Sequence, residues 1–281
     1  MELELRDFNG MKSTDVLGLW YGYKRIISTG FAAGQLETLK AVFKKYGFLC
    51  GMLDKTHDYK KQGGTCILSR DPGHIKTALA AYAGNRFDLI GRLLGYPECC
   101  VSYHYKTFYK FTDEFVRECS ARSGKFLWPL NNVLDFDGRL KKVAAQPDFN
   151  GLGHASLISH NPCSYDCAKS LELAKKNYFY LNKHIRHPGP ESDYSLLAKP
   201  VLYADDFNLA ILNGKSVPGG AEFAGAAFIL GFAGLEKELN AGGSLLLRGR
   251  VLSISRKGKV VLKKTLSKKP LVLPFDVHAS A

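Results

Sequence analysis

The chain has 281 residues, of which 46% are hydrophobic and 23% are charged. This composition excludes a largely disordered chain, and the length allows one large domain or two modest ones. Residues 1–10 carry acidic side chains and no apolar stretch, which argues against a secretory signal. The longest run of apolar and small residues, 223–235, is too short to span a bilayer. We therefore expect a cytoplasmic protein that does not enter a membrane.

Positive charge is concentrated near the end of the chain. The formal net charge is +13, and the stretch between Glu238 and Asp276 has nine basic residues and no acidic one. A local field of one sign attracts polyanions, so this stretch predicts binding of nucleic acid, RNA in particular, or of another phosphorylated ligand. The alternative is a solvated strand surface. The nine residues are Arg248, Arg250, Arg256, Lys257, Lys259, Lys263, Lys264, Lys268 and Lys269.

The first part of the chain is predicted to form helices and short strands. Apolar residues recur at helical spacing, and glycine or proline stands where the helices end or begin. Short apolar runs between the helices indicate buried strands. Residues 112–153 give no clear pattern. The predicted elements are helix 35–46, strands 48–53 and 65–69, and helices 72–83, 86–94 and 97–111.

A second group of elements begins near residue 155. The sequence predicts a strand over 155–159 and then a long helix opened by Asn161-Pro162, with an inward stripe at steps of three and four. The stripe consists of Cys163, Cys167, Leu171, Ala174, Tyr178, Leu181 and Ile185. After a connection over 186–200, strands over 244–255 and 259–266 form a predicted hairpin around Arg256-Lys257-Gly258.

These elements predict an α/β fold in two parts. Residues 1–187 form an α/β body in which cysteine-bearing helices start at strand ends. Residues 200–281 form a smaller, mixed and β-rich region that ends in the basic hairpin. Because open α/β sheets bind ligands where strands end and helices start, we expect the functional site in the first part.

The seven cysteines are the strongest chemical signal. In a cytoplasmic chain, clustered cysteines indicate metal binding or catalysis more often than disulfides. Two pairs, Cys99/Cys100 and Cys163/Cys167, stand at predicted helix starts, where unpaired N–H groups and partial positive charge favour the thiolate form. Cys50, Cys66 and Cys119 are instead predicted to be packing residues, because free cysteine is commonly buried.

Three interpretations of the two pairs are open. The first is a metal site formed by Cys99, Cys100, Cys163 and Cys167, with His104 as a further ligand, holding a [4Fe–4S] cluster or zinc. Adjacent cysteines point about 100° apart on a regular helix, so both bind only if the helix start is irregular. Otherwise one of them, Cys99, is free for catalysis with His160. The second interpretation is a metal-free thiol site, and the third is cysteines that only pack.

A family resemblance rests on two cysteine-bearing segments. They are Gly95-Tyr96-Pro97-Glu98-Cys99-Cys100 and His160-Asn161-Pro162-Cys163-Ser164-Tyr165-Asp166-Cys167. Residues 85–185 resemble an uncharacterised, mainly archaeal family whose members contain a domain of unknown function. The resemblance implies that these cysteines are the shared feature of the family. It implies no activity.

The sequence therefore leaves three hypotheses about function. The first is a metal- or cluster-dependent protein with a four-cysteine site, whether or not it is an enzyme, that acts on RNA or another polyanion. The second is a zinc-stabilised module that binds nucleic acid through the basic hairpin. The third is a metal-free thiol or redox enzyme. The oligomeric state is left open.

Overall fold

The structure, a computed structural model, describes residues 2–8, 11–53, 63–107, 112–133, 156–184 and 195–276. The chain forms two compact units, each assembled from three stretches of sequence. Unit 1 comprises Met1–Tyr109, Ile158–Cys163 and Glu172–His187, and unit 2 comprises Lys110–Leu157, Ser164–Leu171 and Pro188–Ala281.

Unit 1 consists of helices around a three-stranded antiparallel sheet. Its strands are β1 (Ile27–Phe31), β2 (Leu49–Met52) and β3 (Gly64–Ser69), with β3 in the middle. Its helices up to residue 107 are α1 (Ser13–Trp20), α2 (Leu36–Lys45), α3 (Pro72–Ala83), α4 (Phe87–Leu93) and α5 (Glu98–Thr107), after a 3-10 turn at Leu5–Phe8. The elements predicted between residues 35 and 107 are confirmed, and the predicted extension of α5 over 108–111 lies outside the described residues.

Local signals explain where these helices begin and end. Asp71 caps α3, because its Oδ1 accepts a hydrogen bond of 2.7 Å from the N–H of Gly73, and Pro72 is the first helical residue. Gly95 follows α4 with φ +75°, a conformation that glycine adopts without strain. Between the helices and the sheet lies a core that includes Ile67 and Leu93.

Unit 2 is dominated by a seven-stranded antiparallel sheet. Its strands are β4 (Val201–Asp205), β5 (Asn208–Val217), β6 (Gly220–Leu230), β7 (Gly243–Arg248), β8 (Val251–Arg256), β9 (Lys259–Thr265) and β10 (Leu271–Leu273), in the order β10-β4-β5-β6-β7-β8-β9. Its helices are α6 (Thr112–Arg122), a 3-10 turn at Trp128–Leu130, and α8 (Glu236–Asn240). The remaining helix, α7 (Ala168–His184), contributes residues to both units.

The predicted hairpin is present. The strands β8 and β9 pair antiparallel, with Arg256 opposite Lys259, and the two residues between them, Lys257 and Gly258, have φ values of 49° and 76°. Two consecutive positive φ values are typical of the two-residue turn that matches the twist of paired strands. One face of the sheet is buried by a cluster that includes Leu212, Leu245 and Leu252.

Three local predictions were wrong. The stretch 155–159 forms no strand in its described part, so His160 does not follow a strand. Residues 163–167 form turns rather than helix, and α7 begins only at Ala168. The predicted strand 244–255 is two strands, β7 and β8, because the chain turns at Gly249, whose φ is 60°.

The fold class is therefore mixed α/β with a β-rich C-terminal region, as predicted. The sheets differ from an open parallel α/β sheet, because all strand pairs of the described residues are antiparallel. The ligand-binding rule for parallel strand ends consequently does not locate the site. In the part of the chain that the structure describes, no helix has the length and apolar character needed to cross a lipid bilayer.

Candidate metal centre

The first cysteine pair lies in the first turn of α5. The carbonyl of Pro97 accepts hydrogen bonds of 2.9 Å from the N–H groups of both Cys100 and Val101, so the turn is helical. The Sγ atoms of Cys99 and Cys100 are nevertheless 3.9 Å apart. The two thiols therefore converge at the start of α5, where the hydrogen bond from Cys100 to Pro97 spans three residues rather than the four of a regular α-helix.

Contacts with α4 fix the start of α5. Arg92 of α4 binds both carboxylate oxygens of Glu98, each at 2.8 Å. A Cβ atom on Gly91 would lie 2.9 Å from Cγ2 of Val101, so the glycine permits the close approach of the two helices. Together these contacts orient the turn that carries the first two thiols.

The third cysteine comes from the irregular segment that precedes α7. The backbone N–H of Cys163 donates a hydrogen bond of 3.4 Å to Sγ of Cys100. An N–H group directed at sulfur favours the anionic thiolate, which is the form that binds metal. Cys100 is 1% exposed, so this contact is protected from water.

The fourth cysteine, Cys167, closes a short loop. Its N–H donates to the carbonyl of Ser164 at 3.2 Å, and its own carbonyl accepts the first hydrogen bond of α7, from Leu171 at 2.9 Å. Cys167 is therefore the residue from which the helix starts. The backbone turns between Cys163 and Cys167 instead of forming helix, and this turn brings the two cysteines toward each other.

The four thiols form one group. The sulfur atoms of Cys99, Cys100, Cys163 and Cys167 all lie within 4.8 Å of one another. Cys100 and Cys167 are buried, Cys163 is half-buried and Cys99 is exposed. The convergence expected from the sequence is confirmed, and the chemistry of the group suits a thiophilic metal ion.

The residues between the last two cysteines anchor the loop within unit 2. The ring of Tyr165 is 1% exposed and packs edge-on against Phe275, with the ring centroids 4.9 Å apart. Oδ2 of Asp166 accepts hydrogen bonds from the N–H groups of Gly124 at 2.8 Å and Lys125 at 3.2 Å. Although burial opposes its ionisation, these bonds and one from Ser164 lower the pKa of Asp166.

The two predicted histidines lie in unit 1, near the cysteine segment. Nε2 of His104 is 3.1 Å from the carbonyl oxygen of Asn161, and His104 is not a member of the four-cysteine group. His160 is 5% exposed, and burial, with the positive charge of Lys24, lowers its pKa to about 3. Burial also lowers the pKa of His104. Both rings are therefore neutral at neutral pH, and their ligand and catalytic roles stay predictions.

A buried polar cluster beside this segment was not foreseen. Nζ of Lys24 lies 2.5 Å from Oδ1 of Asp15 and 3.3 Å from Oγ of Ser159, which itself donates to Asp15. The side chain of Lys24 is 1% exposed. In the sequence these residues look like an ordinary helix-start acid, a surface lysine and a loop serine, and 135 residues separate Lys24 from Ser159.

The nine basic residues lie in β7, β8, β9 and the segments that join them to one another and to β10. Three of them are engaged within unit 2: Arg256 with Glu238, Lys264 with the carbonyl of Ala233, and Lys268 with Asp113. Arg250 reaches the carbonyl of Ser267 at 3.4 Å. The side chains of the other five are exposed and make no hydrogen bond or ion pair with described residues: Arg248, Lys257, Lys259, Lys263 and Lys269.

The remaining cysteines lie outside the four-cysteine group. Cys66 is 0% exposed on β3, Cys119 is 4% exposed on α6, and Cys50 is half-buried on β2. Their positions in the sheet and helix suit packing residues.

Comparison with known proteins adds one match. Residues 70–185 match a family model described as "Protein of unknown function (DUF483)", a stretch that includes all four cysteines of the group. The search among curated proteins and the search among solved structures both gave no match. Residues 70–185 of this chain are thus similar to a family of unknown function, and the match names no activity.

Proposed function

We propose that the four cysteines bind a single Zn²⁺ ion and that the zinc-stabilised protein binds nucleic acid through the basic hairpin. The observation that carries the metal assignment is the spacing of the sulfur atoms. The Sγ atoms of Cys99 and Cys100 are 3.9 Å apart, and no pair in the group exceeds 4.8 Å.

This spacing fits one metal ion better than a cluster. Zn–S bonds of about 2.3 Å put the sulfurs of a tetrahedral site about 3.8 Å from one another. In a [4Fe–4S] cluster, each thiolate binds a different iron atom, so the sulfurs lie outside the corners of the core and farther apart. The group therefore supports a mononuclear tetrathiolate site, to which zinc is suited because it accepts four sulfur ligands in a tetrahedron.

The ligand set also favours a structural role for the metal. Sites in which four protein side chains complete the tetrahedron stabilise folds, whereas catalytic zinc keeps a position open for water or substrate. Zinc bound by four thiolates would supply a cross-link between the start of α5 and the loop 163–167. The loop has no helix or strand pairing of its own, so such a cross-link is useful there.

The exposed basic side chains of unit 2 support the proposal that the protein binds nucleic acid. Lys257, Lys259 and Lys263 lie on the hairpin turn and on β9, which is an edge strand of the sheet. Lysine side chains that make no ion pair with described residues can bind the phosphates of a nucleic acid. A hairpin at the edge of a sheet can lie along the sugar-phosphate backbone. Lysines on an edge strand also discourage aggregation through that edge, a role that needs no polyanion.

Metal analysis with an anaerobic visible spectrum tests the metal assignment. We expect colourless protein with one zinc per chain and no iron. Brown protein that absorbs near 400 nm, about where Fe–S chromophores absorb, would assign a cluster and contradict the proposal. Zinc that does not exceed trace levels after purification in zinc-supplemented buffer would also contradict it.

A salt-dependent gel shift tests the nucleic-acid assignment. The variant Lys257/Lys259/Lys263→Gln is compared with wild type on a single-stranded and a duplex RNA. The control Lys44/Lys76/Lys175→Gln removes the same charge from exposed positions of unit 1. We expect the hairpin variant, and not the control, to bind more weakly. On single strands its salt slope should fall by about 0.7 for each phosphate that the variant no longer neutralises. Equal binding by wild type and both variants removes the proposal.

One observation supports a second candidate, a metal-free thiol enzyme. Cys99 is exposed and its sulfur is 3.9 Å from that of buried Cys100, an arrangement suited to a nucleophile with a neighbouring resolving thiol. Colourless, metal-free protein in which one thiol reacts much faster than the others would favour this candidate over the zinc site.

A further inference from the structure

The segment 158–163, which delivers Cys163, has neither helix nor strand in its backbone. Buried carbonyls in such a segment need hydrogen-bond donors from elsewhere. The donors are side chains of unit 1. Lys12 Nζ reaches the carbonyl of Ile158 at 2.7 Å, and the Tyr96 hydroxyl donates to the carbonyl of Ser159 at 3.1 Å.

The centre of this arrangement is a buried ion pair. Asp15 of α1 and Lys24 meet at 2.5 Å, with side-chain exposures of 19% and 1%. Both contact the hydroxyl of Ser159, which donates to the Asp15 carboxylate and accepts from Lys24 Nζ at 3.3 Å. Burial opposes ionisation of Asp15, but the charge of Lys24 keeps the pKa of Asp15 below its ordinary value. Burial lowers the pKa of Lys24, and the charge of Asp15 opposes that shift, so each group favours the charged form of the other.

The backbone around Lys24 is shaped for a lysine. A Cβ atom on Gly18 would lie 2.6 Å from Cδ of Lys24, and one on Gly95 would lie 3.2 Å from its Cγ. Two glycines thus line the aliphatic part of the side chain and let Nζ reach Ser159. Burying an ion pair is energetically costly, and apolar residues of similar size often stabilise a protein as well or better. The buried pair therefore indicates a role other than stability alone.

The position of Ser159 indicates that role. Ser159 is four residues before Cys163, whose N–H binds Sγ of Cys100 at 3.4 Å. One end of the short segment is thus held by the ion pair and the other end by the first cysteine pair. Groups that orient the ligands of a metal site raise its affinity by reducing the disorder of the unbound ligands.

We propose that Asp15, Lys24 and Ser159 are positioning residues that hold Cys163 in place before metal binds. This inference rests on the proposed metal site. It assigns a role to residues of α1 and the α1–β1 connection that lie outside the stretch 70–185 matched by the family model.

The experiment compares zinc affinity, measured by competition with a chromogenic chelator, and the visible spectrum of the Co²⁺-substituted protein. Ser159→Ala removes the hydroxyl but leaves the ion pair, and Lys24→Met keeps the length of the side chain while removing its charge. Lys45→Met is the control, because Lys45 pairs with Asp7 at 2.6 Å on the surface of the same unit. All are measured at a temperature at which circular dichroism shows them folded.

We expect Ser159→Ala and Lys24→Met to bind zinc at least about tenfold more weakly than wild type. We also expect their Co²⁺ spectra to lose thiolate-to-metal charge-transfer intensity. If these residues only stabilised the fold, that intensity would stay the same in the folded variants. Lys45→Met should match wild type. If wild type and both variants bind zinc equally and give the same Co²⁺ spectrum, the positioning role is wrong. If wild type itself binds neither metal, the proposed site fails and this inference fails with it.

If Lys24→Met does not fold, Ser159→Ala decides the question alone, since it keeps both charges. A folded Ser159→Ala protein with wild-type affinity and spectrum overturns the inference, whatever the behaviour of Lys24→Met.

Discussion

Cys100 is the residue on which the four-thiol group depends most. Its sulfur is 3.9 Å from that of Cys99 and accepts the N–H of Cys163, and it is 1% exposed. It thus contacts both its neighbour in α5 and the segment that carries the other two thiols. Cys100 therefore serves as the reference point for the site.

Replacement of this thiol should remove tight metal binding. Removal of a metal ligand lowers metal affinity more than removal of a group that only orients a ligand. We therefore expect Cys100→Ser to lower zinc affinity by more than about a hundredfold. Competition with a chelator measures it. Cys50→Ser, at a half-buried cysteine outside the group, should leave the affinity unchanged. Similar affinities for the two variants would argue against the site.

His160 provides a second residue-scale prediction, through pH. Burial lowers the pKa of its ring to about 3, whereas histidine in an unfolded chain titrates near 6.5. Between these values the unfolded chain binds one more proton than the folded one. This histidine therefore makes the free energy of unfolding fall as pH decreases below about 6.5, by up to about 1.4 kcal/mol per pH unit.

Urea unfolding of the metal-loaded protein between about pH 5.5 and 7 measures that slope. His160→Gln should flatten it, because the variant removes the buried ring whose pKa differs between the folded and the unfolded chain. An unchanged slope in His160→Gln would mean that the buried ring already binds a proton in the folded protein.

Residue identities were predictable where the chemistry was local. Helix-start cysteines and their spacing pointed to the four thiols, although the second pair proved to lie in a turn. The ion pair of Lys24 with Asp15 was not predictable, because nothing in the sequence around this lysine indicates that Gly95 and Ser159, both far along the chain, will enclose it. Burial of a charge is a tertiary property.

At the scale of elements, prediction succeeded for helices with clear stops and failed at turns. Asp71-Pro72 and Gly84 bounded α3 correctly. A spacing of four residues fits one helical turn and also fits the loop 163–167, so periodicity could not distinguish them. The strand split at Gly249 was missed because the apolar alternation continues on both sides of the turn.

The loop 163–167 depends on the packing of one ring. Tyr165 is 1% exposed and contacts Phe126 and Phe275, with ring centroids 5.5 and 4.9 Å away. Tyr165→Ala should lower the free energy of unfolding by about 3 kcal/mol, because it leaves a cavity in place of a buried aromatic ring. We also expect weaker zinc binding, since the loop loses its anchor.

Tyr165→Phe is the matched control, because it keeps the ring with its aromatic contacts and removes only the hydroxyl, so it should lose less stability and less zinc affinity than Tyr165→Ala. Chemical denaturation and chelator competition measure the two effects. A Tyr165→Ala protein that is destabilised and yet binds zinc as wild type does would separate the packing of this loop from the site.

For the whole molecule, the prominent features are the four-cysteine group and the uneven distribution of charge. The four-cysteine group lies within the stretch 70–185, and the exposed basic residues lie in the strands of unit 2 and in the segments that join them. The mixed α/β class and the β-rich C-terminal region were predictable from the change in sequence texture. The antiparallel sheets were not, because strand direction depends on connections that the sequence leaves unassigned.

Metal removal should affect the stability of the whole protein. A ligand that binds only the folded state raises the free energy of unfolding, and does so further as its concentration exceeds the dissociation constant. We expect a strong chelator under reducing conditions to lower the thermal midpoint and zinc to restore it. A midpoint that does not respond to either would show that zinc contributes nothing to the fold.

The central claim is that the sulfurs of Cys99, Cys100, Cys163 and Cys167 surround one metal ion. X-ray absorption at the zinc edge of the purified protein tests it most directly. The predicted result is a single shell of four sulfur atoms at about 2.3 Å, with no metal neighbour. A shell that mixes sulfur with nitrogen or oxygen, or a metal–metal distance in the corresponding iron spectrum, would contradict it.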